Sequence, residues 1–366
     1  MRVGIVTFHH APSYGAILQA YALSQYLRSL GHAVTVIDYM PAHRRRRMKH
    51  WRRGHRMSWR WFGLNRTNLV VRRNKSLYAD AARLLLPLSR DRYASLESLQ
   101  RSPPKLDVCF FGSDQIWNYE STDGKYDPAY FGGFGPKTMV RVAYAASFGR
   151  NECPRDLDHL RQYLEMLDAV SVRESSGVSI VREHANRAAN VVLDPTLLID
   201  KKHFQFVEQP IVEGPYILGY SVVGGSRFET ALDKAATALA IPVVRVVDAV
   251  RSHGVNTHAN PIELLNLIEY ARFVVTDSFH GTALSLTFSK DFVASALEGK
   301  CANRGVRVSD LLNRLGLQNR FLKTGHDTTD FFENNSNADC WKKTLDALRQ
   351  ESSCFIQRSL ALCRRN

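Results

Sequence analysis

Cysteine is scarce in this chain of 366 residues. The six cysteines (Cys109, Cys153, Cys301, Cys340, Cys354 and Cys363) are scattered, and no two form a C-x-x-C pair. A cysteine zinc site is therefore not expected, and reduced thiols in a reducing compartment fit this usage best. No apolar run approaches the roughly 18 residues that span a bilayer. The first eight residues, Met1 to Phe8, read as a strand with no small-residue cleavage site after it, so no secretory leader is expected. The loop before the first helical pattern has one glycine rather than G-x-G-x-x-G, which leaves dinucleotide binding poorly supported. Zinc-finger, RRM and helix-turn-helix signatures are missing, so nucleic acid is not expected as a partner. Internal repeats are missing too. These absences lead to the expectation of a cytoplasmic protein.

One further absence is local. Residues 42–75 contain eleven Arg, two Lys and no acid. They supply 13 of the 14 net positive charges, so the rest of the chain is near neutral. Trp51, Trp59, Trp61 and Phe62 are interleaved among these bases. Basic and tryptophan-rich segments suit an anionic membrane surface, which makes peripheral contact at the inner face one reading. An anionic acceptor, a nucleic-acid backbone and a solvated helical insertion are the others.

What is present is an alternating pattern. Arg2 to Phe8 reads as a strand, Ala16 to Leu30 as a helix closed by Gly31, and Ala33 to Ile37 as a strand. This βαβ unit predicts a parallel sheet. A helical stretch is expected near Ser76 to Leu99. Further strands are expected at Leu106 to Phe111, Val140 to Ala145, Asp168 to Val172 and Asn190 to Leu193. Pro210, Gly214 and Pro215 mark a boundary. A second series then runs from Tyr216 to Leu315, followed by one long helix from Ala338 to Arg364. The expected class is α/β, with two Rossmann-like domains facing a cleft. Residues 1–205 form the first, with the insertion at 42–75, and residues 206–330 the second. Residues 331–366 form a C-terminal helix that packs back.

The strand ends converge on small and polar residues, where open α/β sheets bind ligands. The clearest is Phe273 to Leu284, an apolar strand that ends in Asp277-Ser278-Phe279-His280-Gly281. His280 there is an acid/base candidate beside a helix start that attracts anions, or a packed cap. Arg173 after a strand suits a carboxylate or phosphate, or an ion pair with Glu174 or another acid. Asp194 before Pro195 suits a base or a hydroxyl acceptor, or a turn cap. Lys300 and Arg304 suit an anion site or a solvated loop. Trp117 suits a sugar face or the core. Ser13, Tyr14, Gly15, Ser113 and Asp114 complete the set of turn groups. Together they point to a cleft that handles an anion and a polyol.

Six segments carry a resemblance: residues 13–20 (SYGAILQA), 112–117 (GSDQIW), 144–149 (YAASFG), 171–174 (SVRE), 193–196 (LDPT) and 277–281 (DSFHG). In this order, over roughly residues 1–325, they resemble the polysaccharide pyruvyltransferase family. The resemblance implies a fold like the two-domain glycosyltransferases of the B type. It implies transfer of pyruvate from phosphoenolpyruvate to a sugar diol of a cell-surface polysaccharide or its lipid-linked precursor, giving a ketal. By position, Arg173, His280 and Lys300 match donor-binding residues, with Ser278 and Arg304 beside them. Asp194 matches the acidic group near the acceptor, on the side of Ser13, Tyr14, Gly15, Ser113, Asp114 and Trp117. His280 and Asp194 are the expected catalytic pair, and no metal or cofactor is expected. Some members carry Arg-Leu-His where this chain has Ser278-Phe279-His280, so the arginine two residues before the histidine is absent, and Arg304 or Arg307 is the expected substitute. A nucleotide-sugar glycosyltransferase and a non-catalytic glycan- or membrane-binding module are the alternatives.

Overall fold

The computed structural model describes residues 1–46, 77–149, 156–247, 259–299, 302, 305–323 and 340–364. Lys300, Arg304 and all of the basic segment beyond Arg46 lie outside the described residues. Short runs of β-branched and aromatic residues, bounded by Gly, Pro, Asn and Asp, make the strands. The first sheet is built from β1 (Arg2–Val6), α1 (Tyr14–Ser29), β2 (Ala33–Tyr39), β3 (Leu88–Tyr93), α2 (Leu96–Arg101), β4 (Val108–Phe111) and β5 (Val140–Ala146). It continues through α3 (Leu157–Glu165), β6 (Ala169–Val172), α4 (Ser175–Ala185), β7 (Asn190–Val191) and the one-turn α5 (Pro195–Leu198). The second is built from β8 (Ile217–Ser221), α6 (Ser226–Leu239), β9 (Val243–Val247), α7 (Pro261–Tyr270), β10 (Phe273–Thr276), α8 (Phe279–Thr287), β11 (Phe292–Ser295), α9 (Val306–Arg314) and β12 (Phe321–Leu322). A long helix, α10 (Cys340–Ala361), closes the chain.

Every strand pairing is parallel. The first sheet runs β3-β2-β1-β4-β5-β6-β7 and the second β12-β11-β10-β8-β9. Both orders reverse direction once, between β1 and β4 and between β8 and β10. Those reversals open crevices at the carboxyl ends of the strands, the places where doubly wound sheets bind ligands. Val3 pairs with both Val34 and Val108 in the first sheet, and Val275 with both Gly219 and Val293 in the second. The central strands are buried end to end, because helices cover both faces.

The helix ends follow local chemistry. Asn260 caps α7 through Ile262 N and Glu263 N, and Glu263 answers on Asn260 N, a reciprocal capping box. Pro195 and Pro261 occupy the first turns of their helices, where the missing N–H costs nothing. α10 packs back on the first sheet: Ser352 Oγ accepts from Leu193 N (2.9 Å), and Arg349 Nε donates to Leu197 O (2.7 Å). One hydrophobic core runs through both halves, from Val3 and Tyr144 to Leu218, Val274 and Leu360.

The stretch near Ser76 to Leu99 differs from a single helix. Residues 77–85 are helical, but Pro87 stops the helix and β3 follows as an edge strand. Its sequence, Leu-Ser-Arg-Asp-Arg-Tyr, has no apolar alternation because its charged middle faces solvent, as protected edges do. Among the described residues, no helix is long and apolar enough to cross a membrane.

Candidate active site

Five strand ends meet where the two halves touch. Arg173 follows β6, Asp194 follows β7 and opens α5, and Ser113 and Asp114 follow β4. Gly15 lies in the first turn of α1, and His280 arrives from the second sheet in the first turn of α8. The approach between the halves is close at Gly15. A Cβ there would stand 1.9 Å from His280 Nδ1, so only glycine leaves room for the ring. Tyr14 fastens the same junction: its hydroxyl donates to Ala259 O (2.6 Å), and its ring meets Tyr220 edge-on.

Asp194 is the hub. Its side chain is fully buried. Oδ1 accepts from Thr196 N (3.0 Å) and Thr196 Oγ1 (2.8 Å). Oδ2 accepts from Ser113 Oγ (2.8 Å) and Arg173 Nη1 (2.9 Å), with His280 Nε2 at 3.7 Å. Burial opposes the charge on this carboxyl, but His280 and Arg173 outweigh it and hold Asp194 well below the usual carboxylate range. Asp194, expected as a base at the acceptor, is thus found fully buried with both carboxylate oxygens bonded. A carboxylate with four bonds, no exposure and a depressed pKa positions its neighbours and is a poor proton acceptor.

Arg173 is 4% exposed and aims into the crevice. Only Nη1 is hydrogen-bonded; Nε and Nη2 are buried without a hydrogen-bond partner. The nearest further acid, Asp114, stands 3.9 Å from Nη2, an ion-pair distance rather than a hydrogen bond. The guanidinium lies over the Phe279 ring (4.5 Å), and Arg307 from α9 lies over the same ring (5.7 Å). Gln115 is best oriented with its carbonyl toward Arg307, accepting from Nη1 (3.1 Å) and Nη2 (2.9 Å). His280 Nε2 is likewise buried without a hydrogen-bond partner. Glu174 does not pair with Arg173. It accepts from Ser147 Oγ (2.9 Å) and Phe148 N (3.0 Å), and burial pushes its carboxyl upward despite both arginines. The crevice therefore holds buried guanidinium nitrogens that its own acids leave without hydrogen bonds, which is what an anion would supply.

The other expected residues divide. Ser278 caps α8, its Oγ accepting from Gly281 N (3.2 Å), so it shapes the turn rather than facing outward. Ser113 is wholly buried and serves Asp194. Trp117 is corrected to a core residue. It is 1% exposed, stacked on Phe131 and hydrogen-bonded to Tyr130 O, which leaves no ring face for a sugar. Ser13 and Asp114 stay partly exposed. Phe279 and Gln115 were missed, because an aromatic and an amide at a turn give no signal until the fold sets arginines beside them. A cavity of about 1710 Å³ lies elsewhere, at the amino edge of the first sheet beside Arg2, Asp107 and Asp168, away from these strand ends.

Comparison with known proteins fits this picture. The family model described as polysaccharide pyruvyl transferase matches residues 14–297. No curated protein sequence matches the chain. Among solved structures, a UDP-N-acetylglucosamine 2-epimerase is 11% identical over 100% of this chain and 96% of its own, with a TM-score of 0.52. A putative UDP-N-acetylglucosamine 2-epimerase from Listeria monocytogenes is 10% identical over 96% of this chain and 90% of its own, with a TM-score of 0.49. A glycotransferase of kitacinnamycin is 14% identical over 99% and 98%, with a TM-score of 0.47. The first of these likenesses shows the fold: two Rossmann-like halves in the manner of B-type glycosyltransferases.

Proposed function

The chain belongs to the polysaccharide pyruvyl transferase family, and we propose that it moves pyruvate from phosphoenolpyruvate onto two hydroxyls of one sugar, forming a ketal and releasing phosphate. The observation that supports this most is the buried Arg173 guanidinium, with two nitrogens lacking a hydrogen bond beside His280 Nε2, which lacks one too. Phosphoenolpyruvate carries a carboxylate and a phosphate, and a desolvated guanidinium fork binds either one. Arg307, over the same phenyl ring, supplies the second cation and stands in for the arginine absent at position 278.

In this reading His280 holds the proton. Delivered to the methylene carbon, it leaves an oxocarbenium-like centre at the adjacent carbon. A first sugar hydroxyl adds there and gives its proton to the ring, the carbon–oxygen bond to phosphate breaks, and the second hydroxyl closes the ketal as its proton passes to the departing phosphate. No redox step is involved. Asp194 faces the ring nitrogen with a permanent negative charge and fixes Arg173. Asp114, partly exposed and near Arg173, takes over the orientation of the acceptor hydroxyl. The acceptor is a sugar of a cell-surface polysaccharide or its lipid-linked precursor.

Thermal shift and phosphate release test the reading together. Phosphoenolpyruvate at millimolar concentration is expected to raise the melting temperature of the wild type by mass action, and to do little for Arg173→Ala. With galactose-, glucose- or mannosamine-containing acceptors, phosphate is released, and far less with His280→Ala. Stabilisation by a uridine or guanosine diphosphate sugar but not by phosphoenolpyruvate would instead make the protein a glycosyltransferase. Glycan binding without turnover of either donor would make it a binding module.

A further inference from the structure

A second cluster of ionisable side chains lies at the carboxyl edge of the first sheet and plays no part in the chemistry above. It joins His9 and His10, just past β1, to Asp38 near the end of β2. We propose that His9, His10 and Asp38 form a binding site for one divalent transition-metal ion of the zinc class.

The geometry at His9 carries the argument. Its side chain is fully buried. Nδ1 lies 3.2 Å from Thr7 O, and a carbonyl can only accept, so Nδ1 carries a proton and, in the neutral ring, Nε2 carries the lone pair. Nε2 has no hydrogen-bond partner and faces Asp38 Oδ1 at 3.7 Å. In the neutral ring two electron pairs face each other in a buried space, and a cation between them removes the conflict. His10 Nε2 is hydrogen-bonded to the same oxygen (2.5 Å), a bond the ion would replace on taking His10 as its third ligand. One donor atom from each of the three residues lies within 4.8 Å of the others. Two donors roughly 2.1 Å from one ion stand roughly 3 to 4 Å apart, so the cluster needs only a small rotation of His10.

The surroundings are those of a supported ligand set. Asp38 Oδ2 accepts from Arg92 Nε (2.9 Å), and the β2–β3 register sets Arg92 opposite Asp38, so Oδ1 is held toward the imidazoles. Asp38 N donates to Ser89 Oγ (2.9 Å). Such outer partners fix ligand orientation. Two imidazoles and one carboxylate leave a position open on a tetrahedral ion. His10, 15% exposed, lies on the side from which an ion enters.

The test uses the full chain, stripped with a chelator, loaded with zinc and freed of excess. Elemental analysis is expected to find one equivalent in the wild type and a small fraction of that in His9→Gln and in Asp38→Asn. Zinc is expected to raise the melting temperature of the wild type and not that of His9→Gln. Asp38→Asn also loses its ion pair with Arg92, so cobalt gives an independent reading on unmutated protein. Intense visible bands of a four- or five-coordinate nitrogen–oxygen site support the proposal, and a spectrum like the hydrated ion overturns it. A wild type that retains no zinc overturns it too, as do His9→Gln and His10→Ala variants that each keep a full equivalent. None of these readings depends on phosphoenolpyruvate.

Discussion

Asp194 and Asp38 invite comparison, because each is a buried carboxylate at the carboxyl edge of one sheet, with an arginine and histidine beside it. In both, burial opposes the charge, the basic neighbours win, and the carboxyl is held far below its ordinary range. The difference lies in what is left over. Around Asp194 the carboxylate has every lone pair filled, while Arg173 Nε and Nη2 and His280 Nε2 are buried without a hydrogen bond. Around Asp38 the arginine is largely in solvent and a buried histidine nitrogen without a hydrogen bond is left facing the carboxylate. On the readings proposed above, the first group takes an anion and the second a cation. The same three residue types give opposite ligand preferences according to which of them the fold buries.

The two arginines give the widest test of that contrast. Arg173 is 1% exposed in its side chain and Arg92 is 60% exposed. Arg173→Ala strands a buried carboxylate and is expected to cost about 3–5 kcal/mol of stability. Arg92→Ala removes a cation that is largely in solvent and leaves Asp38 bonded to His10, and it is expected to cost about 0–1 kcal/mol. Urea unfolding of the two variants measures both, and equal losses would erase the distinction. Next in size, His280→Ala is expected to lower turnover roughly 10²- to 10⁴-fold, the range for losing a general acid–base group. A variant with full turnover would remove His280 from the chemistry. Gly15→Ala follows, at about 1–3 kcal/mol for overpacking, because its new methyl meets the His280 ring. Its diagnostic is a fall in turnover with donor stabilisation largely kept.

Acid sharpens the comparison further. A carboxyl depressed in the folded state contributes stability that is fully present above its unfolded value of roughly 4 and is lost as pH falls below it. Both aspartates act in this direction. Wild-type stability is therefore expected to be flat on their account near neutrality and to decline below about pH 4. Asp194→Asn, less stable at pH 7, is expected to decline less steeply on acidification. An unchanged slope would mean that Asp194 is not the buried anion described here.

Much of this was legible in the chain. The Phe273–Thr276 strand, its turn and the histidine after it announced themselves by a sharp change from apolar β-branched residues to small polar ones. Helix Pro261–Tyr270 was legible from its proline and its periodicity. The edge strand Leu88–Tyr93 was not, because a charged edge lacks the apolar alternation that marks a half-buried strand. Arg173 and His280 were visible as candidates, but nothing local says that Asp194 has no lone pair to spare. That depends on Ser113, 81 residues away. His9-His10 was in plain view as a dipeptide, yet its meaning depends on Asp38, which a strand pairing brings beside it.

The smallest effect falls on Arg307, and it asks whether the anion pocket works as a pair of cations or as one. Arg307 shares the Phe279 ring with Arg173, and its planar fork meets the Gln115 carbonyl through two nitrogens. A lysine at 307 keeps the charge but loses the fork and the flat contact with the ring. Ring–cation contacts of this kind are worth about 0.5–1 kcal/mol at accessible sites, which converts to a roughly two- to five-fold weaker hold on phosphoenolpyruvate. Arg307→Lys is therefore expected to raise the apparent KM by that factor with kcat nearly unchanged, because binding is trimmed and the proton-transfer group is untouched. Arg92→Lys serves as the counterpart in the other cluster and is expected to leave the KM for phosphoenolpyruvate where it was. If Arg307→Lys left it unchanged as well, Arg173 and His280 would hold the donor alone, and the substitution for the arginine absent at position 278 would have to be sought elsewhere.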